Sequence, residues 1–225
     1  VNEAYVSCGM PYGAYRRVAG ETPPEDRLPG REGRNAELPY AVTAHENEDG
    51  VEIVSSNCLT CHAGRIDGEL IVGLGNAFAD FTRDPMRTVL NAGNYVRGEA
   101  ETRAWEHWAD RVAGIAPYIR TETVGVNPAT NLTWALMAHL DPETLAWSEE
   151  PLLAPPPEDP LPISVPPWWG MQKKNAMFYT TIGRGDHARF MLLASMLCIE
   201  GVEEAEAIDA YAPDIRAYIA SLEAP

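Results

Sequence analysis

Apolar positions along this chain fall mostly at helical spacing. Asp84 followed by Pro85 predicts a helix start, running to about Val96. Residues 99–113 predict a second helix, with Trp105, Trp108 and Val112 on one stripe. A third spans roughly 128–139, with Leu132, Leu136, Met137 and Leu140 on one side, and Asp141-Pro142 opens a short fourth. Asp186 suits the N-cap of a largely apolar and therefore buried helix, HARFMLLASMLCI. Pro213 opens a last one, where Ile215, Tyr218, Ile219 and Leu222 recur at i, i+3, i+4 and i+7. Strand signals are weaker: Val51–Ser55 and Glu69–Val72, with Asp67-Gly68 as a turn.

Two stretches break the pattern. Residues 20–39 hold four prolines and three glycines, and residues 151–167 hold eight prolines in 17 positions. The second excludes helix and central strand and suits an extended segment wrapping the surface of one domain. The expectation is a mainly α fold in a single domain over 1–225. An irregular N-terminal extension (1–50) precedes a core (51–225) that contains the proline-rich segment.

Composition narrows the function. A chain of 225 residues can bury a sizeable core without disulfide staples. Asp and Glu outnumber Lys and Arg by 33 to 17, a formal charge of −16. That argues against nucleic acid and anionic membranes and favours a basic partner or a salty medium, or else simply a solvated acidic surface. No apolar run is long enough to span a bilayer. The chain opens Val-Asn-Glu-Ala without a leader, so any export signal is expected to have been removed.

The chemistry sits in Asn57-Cys58-Leu59-Thr60-Cys61-His62, a C-x-x-C-H pattern. On a helical turn, positions i, i+3 and i+4 share a face. Two thiols can therefore join the two vinyl groups of one porphyrin, while the next residue's imidazole reaches the iron from the same side. The reading is one covalent haem c, with His62 as proximal ligand and its other nitrogen donating to a backbone carbonyl. A zinc site would need further ligands, and Cys8 and Cys198 are remote in sequence. A redox dithiol would need a βαβ setting. Cys8 and Cys198 are free to pair if the compartment is oxidising.

The sixth iron position separates functions: Met suits electron transfer, a second His lowers the potential, and an open site admits O₂ or peroxide. Met191 and Met196 are the leading candidates, ahead of Met171 and Met177; each is equally at home as core filling. His187 is the best distal histidine, although a capping role suits it better; His45, His107 and His139 read as structural. Trp168-Trp169 and Phe178-Tyr179 form either an aromatic wall over the haem, with Trp169 a cofactor contact, or ordinary core. Arg65, ahead of Lys173 and Lys174, is the candidate partner of the haem propionates. Gly73, Gly75 and Asn76 suggest close backbone approach to the porphyrin.

The stretch NCLTCHAGRIDGELIVGLGNAFADF resembles the N-terminal haem domain of the rubber-oxygenase-like diheme c-type cytochromes. So do VPPWWGMQKKNAMFYTTIGRGDHARFM, the closing AIDAYAPDIRAYIASLEAP and the opening CGMPYGAYR. The Pro-Pro…Phe-Tyr…Gly-Arg run is more weakly similar to the distal segment of bacterial diheme cytochrome c peroxidases. The resemblance implies a cytochrome-c-like fold with long Pro/Gly-rich insertions, an exported periplasmic or extracellular protein, and a second haem domain. This chain has one C-x-x-C-H, so it is expected to be either half of a diheme protein or a single-haem relative.

Three functions follow. The first is one-electron transfer through His/Met-ligated haem to a basic partner protein or a second haem. The second is oxygenase or peroxidase chemistry at an open haem, and the third a haem-bearing subunit of a larger assembly.

Overall fold

A computed structural model describes residues 4–177 and 183–225. The segment 1–50 carries a short strand, β1 (Met10–Pro11), a helix, α1 (Tyr12–Ala19), and a second strand, β2 (Val42–Glu46). Next come β3 (Glu52–Ser56), the single turn α2 (Leu59–His62), and the hairpin β4 (Ala63–Ile66) and β5 (Glu69–Val72). The middle of the chain is helical: α3 (Pro85–Gly93), α4 (Gly98–Ile115) and α5 (Ala129–His139). After the proline-rich segment, the two-residue strands β6 (Ala176–Met177) and β7 (Gly183–Arg184) pair. Then α6 (His187–Leu192), α7 (Val202–Asp209) and α8 (Ala212–Ser221) close the chain.

The expected mainly α, cytochrome-c-like class is therefore corrected to mixed α/β. Helix accounts for 44% of the described residues and strand for 14%, the latter in several small sheets. One sheet has the antiparallel order β1-β3-β2, with Val54 opposite both Met10 and Ala44. The C-x-x-C-H turn does not open a long helix: Ala63 is already extended and begins β4. Nor is 1–50 an irregular extension, since β1 and β2 flank β3 on its two sides.

Most predicted helices are present. Asp84 caps α3, accepting from the Met86 N–H at 2.9 Å, and Asp186 caps α6, accepting from Ala188 N–H at 2.9 Å. Val112 of α4 is buried, while Trp105 donates its indole N–H to the Val89 carbonyl at 3.0 Å, tying α4 to α3. Of the residues grouped on one side of α5, Leu136 and Leu140 are buried and Met137 is exposed. Asp141-Pro142 opens no helix: the Asp141 carboxylate accepts from Glu143 N–H, Thr144 N–H and the Thr144 hydroxyl, which closes a turn. The long apolar helix after Asp186 is short, passing into a 3₁₀ turn over Leu193–Leu197. The hairpin turn is as the sequence predicts: Asp67 (φ 50°) and Gly68 (φ 87°) are both left-handed, as a two-residue β-turn of this hand requires.

The irregular stretches are held by side chains. Asn35 pairs with the outer edge of β2 as a strand would, its amide donating to the Ala44 carbonyl and its carbonyl accepting the Ala44 N–H. Buried Arg31 donates to the Pro39 and Val42 carbonyls. The proline-rich segment runs along α5: Leu152 N–H donates to Ala138 O, Trp134 Nε1 to Ala154 O and Asn131 Nδ2 to Pro157 O. Cys8 and Cys198 form a disulfide across 190 residues. Among the described residues no helix is long and apolar enough to cross a membrane.

Candidate haem-attachment site

The turn bearing Cys58, Cys61 and His62 is built by its neighbours in sequence. Asn57 Oδ1 accepts from Leu59 N–H at 2.9 Å and so starts the turn, while its amide donates to Tyr40 O and Thr43 Oγ1, both at 3.0 Å. Thr60 Oγ1 adds a bond to Ala41 O. His62 N–H then reaches Cys58 O at 3.0 Å, completing one helical turn with Cys58, Cys61 and His62 on a common face.

A helix this short leaves its carbonyls without internal partners. Gly73–Asn76 supplies them: Gly73 N–H donates to His62 O, Asn76 N–H to Cys61 O and Asn76 Nδ2 to Thr60 O. The far side of the same segment grips the end of the proline-rich strap, with Trp168 N–H bonded to Gly73 O at 2.7 Å. Gly73 is left-handed (φ 91°), and at Gly75 a Cβ would lie 1.8 Å from Val165 O. The close approaches that these glycines permit are thus to the strap and to the turn itself.

The surroundings are apolar. Leu59, Ala63, Trp168, Met171 and Ile219 form a buried cluster against which Cys58, Met191, Ile215 and Leu222 pack. The motif turn and the C-terminal helix α8 therefore meet. Burial pushes the Cys58 thiol above its ordinary value, only partly countered by the Tyr5 side chain hydrogen-bonded to it. Burial and the neighbouring Cys58 raise Cys61 to about 11, with the Asn127 side chain pulling the other way. Burial lowers His62 to about 4. At neutral pH all three groups are uncharged: two free thiols and a neutral imidazole with a lone pair to give.

His62 stacks on Trp168, centroids 5.0 Å apart and planes 25° apart. The expected bond from its second nitrogen to a carbonyl is not made. His62 Nδ1 and Trp168 Nε1 are both buried without a partner among the described residues. The imidazole is oriented by ring contact.

The other candidates disperse. Met191 packs on the Cys58–Trp168 cluster, as do Met171 and Met177, whereas Met196 belongs to the cores around Leu140 and Leu136. Trp169 is half-buried beside Trp168, and it is Trp168 that touches the imidazole. Arg65 lies on β4 and is engaged by Asp26 at 2.6 Å and by Gly68 O. Lys173 and Lys174 are exposed. His139 is buried, bonded through Nδ1 to Ser148 O and stacked on Trp147; His107 pairs with Glu200 at 3.2 Å. His45 is in β2, and His187 begins α6 beside its cap. Phe178 and Tyr179 lie outside the described residues. Tyr5 and Asn127 were not among the sequence candidates: each reaches a motif sulfur from a part of the chain with no motif of its own.

The donor set fits a covalently held porphyrin: two unpaired thiols and one imidazole on a single half-buried turn. It does not fit zinc, because among the described residues no three His, Cys, Asp or Glu side chains are arranged to hold a metal ion. No family model matches the chain, and no curated protein is found to be similar to it.

Proposed function

We propose that this chain is a c-type cytochrome unit. One haem would be held through Cys58 and Cys61, with His62 as the iron ligand, and would supply one-electron transfer to a partner protein or a second haem. The observation that carries the reading is the state of the four cysteines. Cys8 and Cys198 are joined in a disulfide, while Cys58 and Cys61, one turn apart, are free. Thiols left reduced beside a disulfide have another use, and thioether formation is the use that a following histidine specifies. The disulfide also supports a periplasmic or extracellular location.

Bound there, the haem supplies a one-electron iron couple. The chain's residues supply its setting. Cys58 and Cys61 fix the ring's position, and neutral His62 offers an imidazole lone pair that no proton occupies at working pH. Trp168 holds that imidazole's plane. Leu59 and Ile219 keep water away, which raises the electrostatic cost of a charged iron and so tunes the potential. Met191 is the favoured sixth ligand over Met196, because it shares the Cys58 cluster. An acidic surface suits encounter with a basic partner, weakening as salt rises.

Purified from an exporting host, the protein should keep its pigment through denaturation and acidic organic extraction, and its mass should exceed the chain's by one haem. Cys58→Ser with Cys61→Ser should abolish the covalent pigment entirely. A colourless wild-type protein, or pigment that extracts freely, would refute the assignment. Met191→Ala should convert low-spin ferric iron to a high-spin form that binds CO once reduced with dithionite, with Met196→Ala leaving the spectrum unchanged. Avid CO binding by the unaltered protein would instead favour oxygenase or peroxidase chemistry.

A further inference from the structure

We infer that the outer face of α5, with the first residues of the proline-rich strap, is a docking surface for a basic protein, one whose apolar contact area is rimmed by lysine or arginine. Four large apolar side chains lie together there in water: Trp134 and Met137 are 45% and 47% exposed, and Leu152 and Leu153 are 49% and 51%. Their adjacency is fixed by bonds. Leu152 and Leu153 N–H both donate to Ala138 O, at 2.7 and 3.2 Å, and Trp134 Nε1 reaches Ala154 O at 2.9 Å. The strap could have turned these leucines inward; it lays them beside the exposed edge of the helix. A contiguous apolar patch of this kind marks an interaction surface, unlike a lone exposed leucine.

Charge selects the occupant. Between Arg120 and Lys173 the chain has no lysine or arginine but seven carboxylates. Glu143, Glu149, Glu150, Glu158 and Asp159 among them are exposed. None of these five forms an ion pair among the described residues. A second copy of the chain would bring like charges together around the patch. A basic partner meets them with opposite charge, which steers approach while the apolar centre supplies the contact. The patch also adjoins the proposed site: Asn127, whose side chain reaches the Cys61 sulfur, lies two residues before α5, so Trp134 is only about two helical turns farther on. Identifying the occupant as a redox partner rests on the haem reading; the docking surface itself does not.

The test titrates the full-length protein with an amphipathic lysine–leucine helical peptide and with a scrambled peptide of equal composition, mapping contact by hydrogen-exchange mass spectrometry. Protection is expected over 130–138 and 149–154 with the amphipathic peptide only. Met137→Ser with Leu153→Ser, which removes no internal hydrogen bond, should weaken binding by about ten-fold, the scale of a central interface contact. Neutralising Glu203, Glu204 and Glu206 on α7 should change it by less than about two-fold, as screened surface charges do. Equal binding of both peptides, protection centred on α7, or self-association burying 130–138 would each overturn the inference. The haem band of the same samples reports the cofactor separately, so either reading can fail alone.

Discussion

Breaking the Cys8–Cys198 disulfide is expected to lower the unfolding free energy by about 3–5 kcal/mol, the range for a cross-link closing a very long loop. The bond spans 190 residues, so the unfolded chain gains much freedom when it opens. The folded state should change little. Arg111 independently holds the segment around Cys198, donating to Leu197 O and Ile199 O at 3.3 Å each and pairing with Glu200 at 2.6 Å. Ser7 Oγ adds a bond to Cys198 O. Urea unfolding of the unaltered protein beside a Cys8→Ala, Cys198→Ala variant, both without thiol reagent so that any bound iron keeps one oxidation state, isolates this one bond. A loss below about 1 kcal/mol would mean that the linkage constrains little in the unfolded chain. A local effect should accompany the global one: Tyr5, three residues before Cys8, should leave the Cys58 sulfur. Faster alkylation of Cys58 in haem-free protein after reduction would register that movement.

Gly75→Ala should cost at least about 3 kcal/mol, or prevent folding, because the new methyl meets backbone and cannot be accommodated by a rotamer change. Its Cβ would stand 1.8 Å from Val165 O. Relief requires the strap to lift, and the strap's next element carries Trp168 onto His62. The variant should therefore lose both thermal stability and the ordered tryptophan signal in near-ultraviolet dichroism. Gly68→Ala is the control. Nothing lies within 4 Å of the added carbon there, leaving only the left-handed backbone penalty of about 1 kcal/mol. Equal behaviour of the two variants would show that the strap does not bear on Gly75.

Legibility in the sequence followed signal length. Helices α3, α4, α5 and α8 could be read because their apolar stripes run over many residues, with Asp84 capping α3 and Pro213 standing in the first turn of α8. The β4–β5 hairpin was legible from Asp67-Gly68. The sheet β1-β3-β2 was not fully legible, since two of its strands give no usable alternation: β1 is two residues long, and β2 reads Val-Thr-Ala-His-Glu. The Asp141-Pro142 start failed because the same carboxylate that can cap a helix can equally close a turn. At the site, the motif residues announced themselves, and the contacts made on them from afar did not. Tyr5 and Asn127 reach the sulfurs only through the tertiary fold, and nothing local distinguishes Trp168 from Trp169 before the strap's register on Gly73 is known.

The Cys8–Cys198 bond also gives the molecule a covalent topology that its linear order hides. Residues 8 to 198 form a closed ring that includes the motif turn, the strap and α5. A single protease cut anywhere between the two cysteines opens this ring without releasing a fragment, so nicked protein stays one covalent piece until a thiol is added.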